Sequence, residues 1–439
     1  MKKLIYLGLL TSSVLALEFQ PLGYESIGMG GAGVANASGS VASYYNPALL
    51  AKRRYTVEIS VGAGIGIREI NLVDHIDKLA NDYDLTGTID TISNNAPKSH
   101  SNTQETIDNI NGALNEIYAL SVGNGLSIMP TAEVGFQIGN FGLAVYGLGE
   151  ASARAVIDRQ HLYLIFKADE KDGGGYYYYY PGKDKNDPNS DIYGATDYDS
   201  YKKYSLEYAL DNNLTYIDLN GLAIAEVPVS YATKFDMNGF DLSVGASIKY
   251  IEGVTYKSIV SLGTDSNDLE DELDGGDKES SNYGLDLGIL ISNDNFNLGL
   301  VGKYLNSPKF KTIDGYPDEE IKPMIRGGVN FSFGDMVDFA MDIDLTTNKT
   351  GIKGYDSQYI GGGINFRPAS WFSLRMGAMR NMVADEEGTI LTAGLGFGLK
   401  WIQFDIAAQA STETGTYDGN EIPRYMKVNA ALISRWGSK

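Results

Sequence analysis

The sequence predicts an all-β chain: an antiparallel transmembrane β-barrel of about fourteen strands, within a range of fourteen to sixteen. Three observations predict it. Segments 240–250, 283–291 and 337–345 alternate apolar and polar residues; in the last, Val337, Phe339, Met341, Ile343 and Leu345 share one face while Asp338, Ala340, Asp342 and Asp344 share the other. Successive side chains of a strand point to opposite faces, so one wall is oily and the other acidic. A soluble sandwich alternates too, but its oily faces need a partner sheet. Secondly, many such segments follow one another at hairpin spacing. Thirdly, the chain opens with an export signal. Lys2 and Lys3 precede an apolar run from Leu4 to Leu10 that resumes in Val14-Leu15-Ala16, and Val14 and Ala16 satisfy the small-residue cleavage rule. Residues 1–16 therefore read as a signal peptide, and the barrel's address as the outer membrane.

Composition agrees. No later segment approaches the ~20 apolar residues of a membrane-crossing helix, so strands would have to do the crossing. The chain has no cysteine, which excludes a lipid-modified N-terminus, disulfides and thiolate metal sites. Its 439 residues include 52 glycines and 30 tyrosines but only 12 prolines, a balance that suits tight turns and interfacial aromatic belts. A formal net charge of −21 argues against a nucleic-acid partner, because phosphate binding demands a basic surface.

Residues 17–54 are glycine-rich and end in Tyr44-Tyr45-Asn46-Pro47-Ala48. Gly28-Met29-Gly30-Gly31-Ala32-Gly33 lacks the strand before and the acidic helix after that a nucleotide loop requires. Small residues here suit a compact segment packed in a confined space, with a turn at Asn46-Pro47. Residues 53–67 read as the first strand, with Val57, Ile59, Val61, Ala63, Ile65 and Ile67 on one face. Across 68–126 the period turns helical, with Ile107, Ile110, Leu114 and Ile117 recurring at helical spacing, which predicts an insertion packed on the barrel rim or inside it. Strands resume at 131–139 and 141–150.

Residues 167–220 form a long polar loop rich in Tyr and Asp, with Gly173-Gly174-Gly175 leading into five tyrosines, Tyr176 to Tyr180. Long loops of such barrels are extracellular. The tyrosine run reads as a folded loop packing on itself; a ligand-stacking platform or a lipid-interface patch are the alternatives. Residues 265–277 are a second acidic loop without EF-hand spacing, read as solvated. Further strands follow at 296–304, 323–333, 336–346, 358–366, 371–380, 389–399, 401–411 and 425–436, with short turns alternating with longer ones. The barrel thus takes residues 55–439.

Catalytic chemistry is not indicated. His75, His100 and His161 are widely separated and no Gly-x-Ser-x-Gly elbow occurs, so neither an enzyme nor a bound cofactor or metal is expected. Asp286, Lys303, Arg326, Asp338, Asp342, Asp344, Arg375 and Asp405 fall on the inferred polar faces. They read as lumen-lining residues that pair across the wall and keep the interior hydrated, with transport contacts as the alternative.

The opening Ile27-Gly28-Met29-Gly30-Gly31-Ala32-Gly33-Val34-Ala35, followed by Ala42-Ser43-Tyr44-Tyr45-Asn46-Pro47-Ala48, resembles the FadL/OMPP1 superfamily of long-chain fatty-acid transporters. Gly302-Lys303-Tyr304-Leu305-Asn306-Ser307-Pro308 and Gly361-Gly362-Gly363-Ile364-Asn365-Phe366-Arg367-Pro368 look like strands of the same superfamily. Within it, the chain is similar to the TraF-like proteins of conjugal transfer, which share the helical insertion after the first strand. The resemblance implies a fourteen-stranded barrel plugged by an N-terminal hatch, here residues 17–54 with Gly28, Gly30, Gly31, Gly33, Asn46 and Pro47 at its heart. It also implies hydrophobic ligands that leave through a side opening in the wall. The expected function is passive outer-membrane transport of small hydrophobic compounds, long-chain fatty acids among them. The loops here lack an evident apolar groove with a basic residue to receive a carboxylate. The alternative is a non-transporting barrel that serves as a structural or assembly component of a conjugation or surface apparatus. The partners implied are the lipid bilayer, a hydrophobic small molecule and a protein engaging the loops.

Overall fold

Fourteen antiparallel strands close into one barrel in chain order. They are β1 Tyr55–Ile70, β2 Gly125–Ile138, β3 Phe141–Val156, β4 Tyr216–Met237, β5 Phe240–Ser261, β6 Gly276–Ser292 and β7 Phe296–Lys303, then β8 Met324–Phe333, β9 Val337–Asp344, β10 Tyr359–Ala369, β11 Phe372–Asn381, β12 Thr389–Leu399, β13 Ile402–Ser411 and β14 Tyr425–Ser438. β1 also pairs with β14, from Val57 opposite Trp436 to Arg68 opposite Tyr425, which leaves the sheet without edges. This computed structural model describes residues 17–52, 55–97, 102–169, 171, 173–181, 192–262, 276–399, 401–417 and 419–438. Residues 1–16, read from the sequence as a signal peptide, His100 and most of the second acidic loop lie outside the described residues.

The alternation read from the sequence becomes an inside and an outside. Along β5, Phe240, Val244, Ala246, Ile248 and Tyr250 are exposed, whereas Ser243, Gly245, Ser247, Lys249 and Ile251 are buried. The outer apolar run ends at Glu252; on β6 it spans Ile291 to Tyr283 and gives way to Ser281 and Glu279. At ~3.3 Å per residue and a tilt of ~40°, such a run of about ten residues climbs ~25 Å, the height of a bilayer's hydrocarbon band. One end of the barrel turns tightly, at 139–140, 238–239, 293–295, 334–336 and 370–371. Phe141, Tyr231, Phe333, Trp371, Trp401 and Trp436 form an exposed aromatic collar there. The other end carries the long connections, 71–124 and 157–215 foremost.

β4 is the strand that sequence reading missed, and it corrects the end of the polar loop from 220 to 215. Its inward positions Leu222 and Ile224 are as apolar as its outward Ala223 and Val227, so the alternation disappears. Pro228 in mid-strand further masks it. β4 and β5 each span 22 residues, longer than a bilayer requires, and project beyond the apolar band.

The long polar loop has structure of its own. Ile165–Lys167, Tyr176–Tyr179 and Tyr193–Thr196 form a small sheet, followed by the helices Tyr198–Tyr204 and Leu206–Asp211. These pack on the insertion's helices Leu85–Asn95 and Gln104–Ala119, and Ile92, Ile110, Ile117, Phe166 and Leu206 share one core. Insertion and loop are therefore a single body at the long-loop end. Within it the tyrosines pack on each other, Tyr176 on Tyr201 at 4.8 Å and Tyr179 on Tyr193 at 5.4 Å between ring centres. Glu207 ties its halves, accepting from Ser93 Oγ and, at 2.8 Å, from Lys167 N.

Two predictions follow from this architecture. Val244, 40% exposed in the middle of the apolar band, tolerates no charge; Val244→Lys should destabilise the barrel by ~2–4 kcal/mol, read as a lower urea midpoint for folding into vesicles. Burial holds the Glu207 carboxyl above its ordinary range. The folded body thus binds that proton more tightly than the unfolded chain does. Its stability should be greatest below the unfolded value, fall as pH rises towards the folded one, and lose this dependence in Glu207→Gln, measured by hydrogen exchange at Leu206–Asp211.

Candidate functional site

The N-terminal segment, residues 17–52, lies inside the cylinder. Its helices α1 Tyr24–Gly28 and α2 Gly39–Tyr45, and the tight turn Pro47–Lys52, are almost wholly buried. Helices this short leave most backbone groups unsatisfied, and the wall supplies partners. Asp342 Oδ2 accepts from Gly33 N at 2.7 Å and Val34 N at 2.9 Å. Thr392 Oγ1 accepts from Gly30 N at 3.0 Å and donates to Gly28 O at 3.1 Å. Glu58 Oε1 accepts from Ser40 N and Oγ at 2.9 and 2.6 Å. Asn46 Nδ2 donates to Val34 O and to Ile289 O of β6 at 3.0 and 3.1 Å, and the turn at Pro47 follows directly. Gly30 is obligatory: it sits at φ +66°, and a Cβ there would lie 2.4 Å from Ala378 O and 2.6 Å from Gly362 O.

The eight polar residues singled out on the strands are all buried, with Asp338 the least so at 5% exposed. They are not brought to one place. Arg326 Nε donates to Asp344 Oδ1 at 2.6 Å, and its Nη2 donates to Phe19 O at 3.2 Å. Arg375 pairs with Asp405 beside Tyr24. Asp338 pairs with Arg367 near the tight turns, at 2.6 Å. Asp286 shares Lys249 with Glu226, at 3.0 and 3.2 Å. The interior is therefore packed where a hydrated lumen was expected, because the N-terminal segment occupies it. A void of about 10 Å³ beside Phe19, Arg326, Asp342 and Met379 has room for no more than one water.

Sequence reading also missed an arginine hub. Arg68, with no exposed side-chain surface, pairs with Glu18 at 2.8 Å and Glu387 at 2.7 Å, lies 3.8 Å from Glu150, and sits between the rings of Tyr355 and Tyr425. Nothing in the local sequence joins these positions; only the barrel's closure does.

The polar pairs leave one part of the lining apolar. Leu148 of β3, Leu222 and Ile224 of β4 and Ile251 of β5 form one cluster with Leu17, Phe19 and Leu50 of the N-terminal segment, and with Phe310 and Ile321 of the connection after β7. Lys303, the last residue of β7, borders this lining. Its ammonium has no carboxylate within 4.0 Å among the described residues. It lies 3.3 Å from the ring centre of Tyr44 and 4.5 Å from that of Phe19. Two faces of negative π density hold a cation that would otherwise be costly to bury. The ladders on both sides of β3 are each interrupted beside this lining. Pairing of β2 with β3 lapses at Met129 and Pro130, and pairing of β3 with β4 lapses at Ala144 and Val145, opposite Val227 and Pro228. A proline has no N–H for the ladder, and both interruptions flank β3.

The anchoring of the segment is testable at Asp342. Asp342→Ala removes two charge-assisted hydrogen bonds, each worth ~1.5–3 kcal/mol. Amides of residues 28–36 should then exchange at least ~10-fold faster while β8–β10 keep their protection.

Residues 43–344 match the family described as "F plasmid transfer operon, TraF, protein". No curated protein matches the sequence. Among solved structures, the chain is similar to the toluene transporter TbuX of Ralstonia pickettii, at 14% identity, with 95% of this chain and 99% of that one covered and a TM-score of 0.49. It is similar to the P. putida toluene transporter TodX at 11%, 96%, 100% and 0.45 in the same order, and to a Pseudomonas aeruginosa FadL homologue at 11%, 97%, 99% and 0.46. The family match extends over more than half of the sequence, from α2 in the plug to the end of β9, and the chain belongs to the TraF family.

Proposed function

We propose that this protein is a passive outer-membrane transporter of small hydrophobic compounds, with long-chain fatty acids as ligands, and that residues 17–54 are its hatch. One observation carries this reading: the apolar patch on β3–β5 adjoins Lys303 of β7, which has no carboxylate within 4.0 Å among the described residues, and it lies beside a strand whose ladders on both sides are interrupted near a proline. An acyl chain placed along Leu222, Ile224 and Ile251 would replace one apolar contact with another. Its carboxylate would offer Lys303 a charge-assisted bond stronger than the rings of Tyr44 and Phe19 provide. Both rings belong to the hatch, so ligand and hatch compete for the same cation. The interruptions in the ladders on both sides of β3 support a side exit into the bilayer. No energy source is encoded, so flux follows the gradient.

A second reading, an assembly component of a conjugation or surface apparatus, draws on the body at the long-loop end, where insertion and loop share a core of their own.

The deciding experiment is uptake by cells lacking their own transporter, with the chain assembled in their outer membrane. Labelled long-chain fatty acid should enter, and deletion of residues 17–54 should change the rate. Lys303→Met should slow fatty-acid uptake by ~10-fold, equivalent to ~1.4 kcal/mol, while leaving a neutral aromatic hydrocarbon unaffected. Correctly assembled barrels that take up neither compound would refute transport and favour the assembly reading. Equal loss for both compounds would refute the role of Lys303 alone.

A further inference from the structure

The three histidines are far apart in sequence, but the fold carries Glu116 of helix Gln104–Ala119 to His75. After β1 the chain turns at Asn71, which has a left-handed φ of 48°, and enters the helix Val73–Asp77. Glu69 holds the start of that helix, its Oε1 accepting from Leu72 N at 2.8 Å and Val73 N at 3.2 Å. Its Oε2 pairs with Arg424 at 2.9 Å. On this braced turn, donor atoms of Asp74, His75 and Glu116 all lie within 4.8 Å of one another.

Hydrogen bonding fixes what the His75 ring can do. Asn71 Nδ2 donates to Ala119 O at 3.3 Å, so the atom turned to His75 Nε2, 3.1 Å away, is Asn71 Oδ1, which only accepts. Nε2 therefore carries the proton. Nδ1 then faces Glu116 Oε2 at 2.5 Å, lone pair against lone pair unless a positive charge stands between them. Metal-bound histidines have this arrangement, with one nitrogen on the ion and the other N–H held by a carbonyl oxygen. Lys78 already meets part of the demand, its ammonium 2.6 Å from Asp74 and 4.0 Å from Glu116. Its side chain is 35% exposed and free to swing out.

We propose that Asp74, His75 and Glu116 bind a divalent transition-metal ion, with Lys78 as the resident competitor. One imidazole and two carboxylates suit Zn²⁺, whose ligand distances of ~2.0–2.2 Å require His75 and Glu116 to part by roughly half to one ångström. The ion staples the helix after β1 to the insertion's long helix, and so fixes the body at the long-loop end onto the barrel. The rival occupant is a second proton on the ring, and the experiment separates the two.

ZnCl₂ is titrated by calorimetry into the untagged full chain in detergent, with CaCl₂ as control and heat-modifiable gel mobility to confirm that each variant is folded. We expect one Zn²⁺ per chain. His75→Ala and Glu116→Gln should each weaken binding at least ~10-fold, and Lys78→Met should tighten it severalfold. His161→Ala should leave it unchanged, because that ring is engaged by Asp158 and Lys202 O. Binding no tighter than ~1 mM, binding indifferent to His75, or binding weakened by Lys78→Met would each overturn the proposal.

Discussion

A barrel whose interior is filled by its own chain cannot leave inward polar groups to water, and this constraint organises the molecule. A buried charge costs several kcal/mol unless it is paired and hydrogen-bonded. The wall answers with pairs it can make alone, Arg326 with Asp344, Arg375 with Asp405 and Lys249 between Glu226 and Asp286. Where it has no cation to offer, the N-terminal segment supplies backbone: Asp342 is neutralised in effect by the amides of Gly33 and Val34. The converse also holds, since short helices such as Gly39–Tyr45 have no means of satisfying their own ends. Wall and plug are each incomplete without the other.

That mutual dependence is uneven around the circumference. From β8 to β14 the interface is mostly polar, and directional bonds fix the plug's position. Between Leu148 of β3, Leu222 and Ile224 of β4 and Ile251 of β5 it is apolar, beside the Glu226–Lys249 pair carried by the same strands, and apolar contact is non-directional. An apolar guest can replace one partner there without leaving a donor or acceptor stranded. Lys303 of β7 borders that zone, held by ring faces, with no carboxylate within 4.0 Å among the described residues. The two prolines that weaken the ladders around β3 lie in the same sector. Interrupted ladders in the wall and apolar packing of the N-terminal segment thus coincide in one sector.

Much of this was legible in the sequence. Strands with a solvated or ion-paired inner face and an oily outer one, such as β5, β6 and β9, declare themselves by period two, and the glycine-rich start marked a segment in tight quarters. β4 escaped because it faces the permissive sector: Leu222 and Ile224 look inward and erase the alternation that reading depends on. Asp342 and Asp344 are both buried, yet their partners were not readable. One finds a guanidinium on the next strand and the other a pair of amides some three hundred residues earlier. The Arg68 hub is of the same kind, assembled from Glu18, Glu150 and Glu387, which only closure of the cylinder brings together. The body at the long-loop end showed only a helical period in one half and a tyrosine run in the other; that they share a core is a tertiary fact.

The same accounting indicates which end of the plug can yield. Withdrawing residues 33–34 would strand Asp342, whose other oxygen already lacks a partner, and an uncompensated buried carboxylate is among the most expensive outcomes available. Withdrawing residues 17–19 is different. Glu18 would move to water, while Arg68 would keep Glu387 at 2.7 Å, Tyr359 Oη at 3.0 Å and the two tyrosine rings around it. Leu17 and Phe19 would leave an apolar surface that any apolar group could re-cover, and Arg326 would retain Asp344 after losing Phe19 O. The cost of breaking an interaction lies in what is left behind. By that measure the segment is held most firmly at its glycine-rich middle and least at residues 17–19, near Lys303.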